Sequence, residues 1–123
     1  MMNILLADDL IRVRFALRVL LEQQPGWKVV GEAANAEEML DQAKNSCPDL
    51  VLLDGDLPDL DSDERLRSLR QTCPQVRIVT LTEQQPLPSN HPAAGSDAFA
   101  SRAYPPERLL GVIRCCFQPA LSA

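Results

Sequence analysis

Three aspartates hold the residues best suited to chemistry in this chain. Asp54 closes the run Leu50-Val51-Leu52-Leu53, four consecutive aliphatic residues bounded by Asp49 and by Gly55-Asp56. Such a run reads as a strand buried on both faces, and strands of that kind belong to parallel sheets covered by helices. Its end is a carboxylate, and ligands of an open α/β sheet gather in the crevice beyond the carboxyl ends of the strands. Asn3-Ile4-Leu5-Leu6-Ala7 runs into Asp8-Asp9 in the same way. If the two strands are parallel neighbours, three carboxylates converge at one rim. Anions that close either shift their protonation or are neutralised by a cation, and an all-oxygen set with room for water favours Mg²⁺ over softer metals.

The elements that must position these groups follow in order. After Asp9, apolar residues at Leu10, Val13, Ala16, Leu17, Leu20 and Leu21 repeat at helical spacing, with Arg12, Arg14, Arg18 and Glu22 on the other side. Asp9 stands where it can cap that helix, and Pro25-Gly26 stops it. Residues 27–33 alternate in character and suit an edge strand. Asn35 and Glu38 form a capping-box-like pair ahead of the stripe Ala36, Met39, Leu40 and Ala43. Beyond the Asp54 strand, Asp61 with Glu64 suggests another cap, and Leu66, Leu69 and Cys73 an inner helical face.

Residues 75–82 are β-branched and close on Thr82, which makes a fourth strand. A repeating pattern then calls for a helix, but Pro86, Pro88 and Pro92 interrupt residues 83–95 together with Ser89-Asn90-His91. The helix is degenerate or missing, which predicts that the loop or a partner chain covers the apolar surface of the last two strands. Residues 97–101 resume as a fifth strand leading to Arg102. Pro105-Pro106 then starts a last helix with Leu109, Leu110, Ile113, Cys116 and Phe117 inward. Five strands alternating with helices predict a flavodoxin-like parallel sheet in the order 2-1-3-4-5, which makes the first and third strands neighbours.

Composition narrows the function. A chain of 123 residues with 46% hydrophobic and 24% charged residues is one globular domain, residues 1–123, rather than a disordered segment. A net charge of −5 makes direct nucleic-acid binding a poor fit. Cys47, Cys73, Cys115 and Cys116 lack CxxC spacing, so neither a disulfide framework nor a zinc site is expected; Cys115 and Cys116 read as buried small hydrophobes. His91 has no metal-spaced partner and reads as a solvent-exposed loop residue. No signal peptide or membrane-length apolar run is present, so the expectation is a cytoplasmic protein with no membrane partner.

The ordered set Asp8-Asp9, Asp54 followed by Pro58, Thr82 and Phe99 resembles the receiver (CheY-like) domain of two-component response regulators. The openings Met1-Met2-Asn3-Ile4-Leu5-Leu6-Ala7-Asp8-Asp9 and Val29-Val30-Gly31-Glu32-Ala33 resemble most the LuxR/NarL-type subgroup, which regulates transcription through a helix-turn-helix output. The resemblance implies that Asp54 accepts a phosphoryl group from a sensor histidine kinase or a small phosphodonor in a phosphorelay. It implies Mg²⁺ held by Asp9, Asp54 and the backbone carbonyl of Asp56, with Asp8 acting through water. Thr82 and Arg102 would contact the phosphoryl group, and Thr82 with Phe99 would carry the switch. Phosphoryl transfer needs an in-line nucleophile and cations on the transferred oxygens, which a metal-bound aspartate satisfies.

Three departures matter. Arg102 stands where the family has lysine, and its planar fork either takes phosphoryl oxygens bidentately or fails to fit. Ser62 stands where glycine is usual, and Asp56 adds a carboxylate beside the site. Phe99 reads equally as a core aromatic, and Arg102 as a surface cation balancing the acidic rim. Three functions therefore stand side by side: a phosphorylated receiver, with a second copy (a homodimer) or a LuxR-type output domain not present in this chain as candidate partners; a pseudo-receiver that only binds; and a haloacid dehalogenase-type phosphatase suggested by Asp54-Gly55-Asp56. The last resembles this chain only locally, because its nucleophile follows the first strand.

Overall fold

The computed structural model describes residues 1–83, 85 and 87–117. Strands β1 (Met2–Ala7), β2 (Trp27–Ala33), β3 (Leu50–Asp54), β4 (Arg77–Leu81) and β5 (Ala98–Ala100) form one sheet in the order β2-β1-β3-β4-β5, with every pair parallel. Helices α1 (Ile11–Glu22), α2 (Ala36–Ser46), α3 (Glu64–Thr72) and α4 (Pro106–Phe117) lie around it. Period-two alternation splits the aliphatic residues between two cores. Leu5, Ala7, Val51 and Leu53 pack with Met39, Ala43, Leu66 and Leu69 of α2 and α3. Ile4, Leu6, Leu50 and Leu52 pack with Leu21 of α1 and Leu109 and Ile113 of α4. Every residue of β3 is buried, as a central strand requires.

The β4–β5 connection contains no helix among its described residues; Pro86 lies outside them. The loop itself folds over the sheet. Ala93 is fully buried in the α2–α3 core and Leu87 packs against it. Successive turn bonds, from the His91 amide to the Pro88 carbonyl and from the Ala94 amide to that of His91, replace helical ones. His91 is therefore half-buried rather than exposed, its Nδ1 accepting from the Ala93 amide at 3.0 Å.

Several local expectations change. Asn35 caps α2 through the Glu38 amide as expected, but Asp59 reaches across to accept from Ala36 and Glu37 as well. Asp61 does not cap α3. That helix starts at Glu64, whose amide donates to Ser62 Oγ, because the turn after Pro58 runs longer than the cap pattern allows. Asp9 does not cap α1 either: Leu10 is the cap residue and makes no side-chain bond. In α1 only Leu21 is fully buried; Leu10 and Ala16 are exposed, and Arg14 tucks inward because Glu32 pairs with it. Cys115 is exposed, Cys116 half-buried and Phe117 38% exposed, since α4 lies on the sheet through Leu109, Leu110 and Ile113. Cys47 and Cys73 form a disulfide, contrary to the spacing argument, because the fold sets the ends of α2 and α3 side by side. No described helix is long and apolar enough to cross a membrane.

Candidate functional site

Register decides which side chains meet. Ala7 pairs with Leu53, so Asp8 and Asp54 leave adjacent strands at the same level of one rim. Asp8, Asp9 and Asp54 each bring a carboxylate oxygen to within 4.8 Å of the others. Asp8 and Asp54 are each only 2% exposed, whereas Asp9 faces solvent. Three hard oxygen donors with one open side fit a divalent ion that keeps several waters.

Asp8 is held firmly. Its Oδ1 accepts from the Leu10 amide at 2.9 Å, its own amide donates to the Ala33 carbonyl at 3.0 Å, and its carbonyl accepts from Arg14 Nη1 at 2.6 Å. Arg14 is oriented by Glu32, which also pairs with Arg18 at 2.6 Å. Asp54 Oδ1 accepts from the Asp56 amide at 2.9 Å. Burial pushes the Asp54 carboxyl up; the Asp56 amide and the Arg102 guanidinium pull it down, Asp8 pushes it up again, and the net is above the ordinary carboxylate range.

Arg102 crosses the rim, and a single nitrogen, Nη2, lies 2.9 Å from Asp8 Oδ2 and 2.8 Å from Asp54 Oδ1. Burial works against its charge, but these two carboxylates outweigh it and hold the guanidinium more firmly protonated than usual. The strand-following position is fixed by Glu83, whose carboxylate accepts from the Ser101 hydroxyl at 2.9 Å and the Arg102 amide at 3.0 Å. Sequence reasoning passes over Glu83. The available signal was an acidic residue directly after the strand-closing threonine.

Thr82 is buried, and its amide bonds the Ala100 carbonyl at 2.9 Å, so it stands one residue past the Asp54–Leu81 pairing. Gly55 draws the two strand ends together: its amide donates to the Leu81 carbonyl at 2.9 Å, and a Cβ there would lie 3.6 Å from Thr82 Cβ. Asp56 is exposed beside this group. Phe99 pairs with Thr80 in β5 and is half-buried, away from the aspartates in register. The nucleophile candidate follows the third strand, not the first.

Comparison with known proteins gives the same family. The response regulator receiver domain pattern matches residues 4–114. The response regulator UvrY of Escherichia coli (strain K12) is 33% identical over 119 residues, covering 95% of this chain and 55% of that protein. The transcriptional activator protein ExaE of Pseudomonas putida is 36% identical over 115 residues, covering 92% and 54%. The chain thus spans about half the length of the curated relatives it matches. A LuxR-family two-component response regulator from Aurantimonas sp. SI85-9A1 superposes with a TM-score of 0.79 at 32% identity, covering 93% of this chain and 83% of that one. The chemotaxis response regulator CheY4 of Vibrio cholerae, at 23% identity, shares the fold with a TM-score of 0.80 over 94% and 98%. With its acidic rim at the junction of β1 and β3, the chain belongs to the response regulator receiver domain family and is a two-component signalling module of the LuxR/NarL type.

Proposed function

We propose that residues 1–123 form one receiver domain in which Asp54 accepts a phosphoryl group from a sensor histidine kinase or a small acyl phosphate. The observation that carries this reading is the convergence of Asp8, Asp9 and Asp54 within 4.8 Å at the rim. Asp54 Oδ1 is engaged by Asp56 and Arg102, and Oδ2 takes part in neither bond. An Asp54 oxygen attacks phosphorus in line while the donor's nitrogen or carboxylate leaves with the bonding pair, yielding an aspartyl phosphate. Asp9, Asp54 and the Asp56 carbonyl would hold Mg²⁺, with Asp8 acting through water. When bound, the ion neutralises charge on the transferred oxygens. Arg102 and Thr82 would bind those oxygens, and Phe99 would report the change in Thr82 to the surface. The signal would pass, in the cytoplasm, to a LuxR-type output domain of a longer chain or to a second copy.

One observation favours a pseudo-receiver instead. Arg102 Nη2 already bridges Asp8 and Asp54, so an internal cation satisfies the acidic rim without metal or phosphate. Acetyl phosphate with Mg²⁺, followed by intact-mass measurement, separates the two. The receiver reading expects one phosphoryl adduct that is lost in Asp54→Ala; an unmodified wild-type chain supports the binding module.

A further inference from the structure

We propose that Cys47 and Cys73 form a reversible thiol–disulfide site whose partner is a low-molecular-weight disulfide of the oxidised-glutathione class. The site lies at the opposite rim from the aspartates and is independent of phosphoryl transfer. Its geometry follows from chain direction. Cys47 caps the C-terminus of α2 and Cys73 that of α3, neighbouring helices on one face that both finish where β3 and β4 begin. Their Cα atoms stand 5.4 Å apart, within the span a disulfide bridges without backbone movement. Cys47 holds φ 36° and ψ 72°, the left-handed cap conformation, and its amide still bonds the Ala43 carbonyl at 2.8 Å.

The same place accommodates the reduced pair. Cys47 Sγ lies 3.5 Å from the Thr72 carbonyl oxygen and Cys73 Sγ 3.4 Å from that of Ala43. Breaking the bond leaves each thiol beside a carbonyl acceptor. Exposure gives the two sulfurs different roles. Cys47 is exposed, whereas Cys73 is only 4% exposed. An open cleft of about 360 Å³, shared with Pro48, Asp49, Pro74 and Gln75, gives a small disulfide room to approach.

The Cys47 thiolate attacks one sulfur of the small disulfide, releasing one thiolate and leaving a mixed disulfide. The Cys73 thiolate then attacks Cys47 Sγ and releases the second. Two protein thiols become one disulfide, one small disulfide becomes two small thiols, and the two protons end on the released thiols. The ring so closed contains residues 48–72, which carry β3, Asp54 and α3. Asp59 already joins this unit to the N-terminus of α2, so the bond fastens α2 to it at both ends.

The test uses the chain with Cys115→Ser and Cys116→Ser, exposed to glutathione buffers of graded oxidised fraction, then alkylated and weighed. Both remaining thiols should disappear together, peptide mapping should join residues 47 and 73, and dithiothreitol should restore them. Oxidation should raise Tm by roughly 8–14 °C, the scale for closing a loop of this size in a domain of this length. Adding Cys73→Ser should trap one glutathione on Cys47, whereas adding Cys47→Ser should leave Cys73 unmodified in the folded chain, as checked by a cooperative melt. Thiols that stay free at every ratio would overturn the proposal. So would a folded Cys47→Ser chain modified as readily as Cys73→Ser, or wild-type cross-links that avoid the 47–73 pair.

Discussion

Replacing Arg102 by alanine should tighten divalent-ion binding while weakening the metal-free fold. The guanidinium Nη2 sits 2.9 Å from Asp8 Oδ2 and 2.8 Å from Asp54 Oδ1, and both carboxylates are 2% exposed. A pair of unit charges about 4 Å apart interacts by about 4 kcal/mol at an effective dielectric near 20. Solvent reaches 30% of the Arg102 side chain and the two carboxylates repel one another, so we take about half of one such interaction, ~2 kcal/mol, as the net hold. An ion entering among Asp8, Asp9 and Asp54 must displace or share that cation. Its removal should therefore lower the Mg²⁺ dissociation constant by roughly 30-fold, the equivalent of about 2 kcal/mol.

Isothermal titration calorimetry with Mg²⁺ on the wild type, Arg102→Ala and Arg102→Lys measures this directly. Lysine, a compact and strongly hydrated point charge that gives up its water less readily than a guanidinium, should fall between them. Without Mg²⁺ the alanine variant should melt lower, since two buried carboxylates lose their cation. Saturating Mg²⁺ should recover most of that difference through binding linkage. An unchanged or weaker Mg²⁺ affinity in Arg102→Ala would refute the competition, and would mean that arginine and ion occupy the rim without sensing each other.

Three further outcomes follow from single contacts. Asp59→Ala should cost about 1 kcal/mol near neutral pH, because Asp59 accepts from the first two amides of α2. Burial raises the Asp59 pKa, but the amides of Ala36 and Glu37 lower it by more, so the folded value lies below the unfolded one. Its contribution is then complete above the unfolded pKa of about 3.9 and is lost as pH falls through the folded value; urea melts of both chains should converge below about pH 4, and a gap that widens there would sink the assignment. Gly55→Ala should cost about 1–3 kcal/mol in the same melts, since its Cβ would meet Thr80 Cγ2 at 3.0 Å and the Leu81 carbonyl oxygen at 3.2 Å, the second being backbone that has little room to yield. Arg70→Ala should cost about 1–2 kcal/mol and speed hydrogen exchange selectively at Ser96 and Ile78, because Arg70 Nη2 bonds the Gly95 carbonyl at 2.8 Å and Asp97 at 3.1 Å; uniform acceleration across the sheet would count against a local clamp.

The strands were legible because burial leaves its mark on residue type. Leu50-Val51-Leu52-Leu53 could only be a central strand, and once β1 and β3 were neighbours the meeting of Asp8, Asp9 and Asp54 followed from parallel register. What sequence could not disclose were contacts between distant segments. Asp59 reads as a loop carboxylate until α2 is laid beside it, and Glu83 as one until the turn after β5 folds back onto it. The α1 stripe misled for a related reason: Arg14 is drawn inward by Glu32 on β2, a partner that helical periodicity does not contain. Cysteine spacing misled too, since Cys47 and Cys73 are 26 residues apart and adjacent only through the ends of two helices.

The β4–β5 connection shows how a short polar network substitutes for a helix. Thr80 is a fully buried polar residue in a central strand, and its Oγ1 lies 2.6 Å from Ser96 Oγ, which in turn donates to the Ala93 carbonyl at 2.7 Å. That bond sets Ala93 against the sheet, where it is completely buried. Asp97 accepts from the Ile78 amide at 2.7 Å while its own amide donates to the Ile78 carbonyl at 2.8 Å, so it fixes the register in which β5 begins. Register at β5 determines where Arg102 emerges, two residues beyond Ala100. The cation that bridges Asp8 and Asp54 is thus positioned through β5 by Thr80, Ser96 and Asp97 as well as by Glu83, and loosening this network should shift Arg102 before it disturbs the aspartates, which are anchored on β1 and β3.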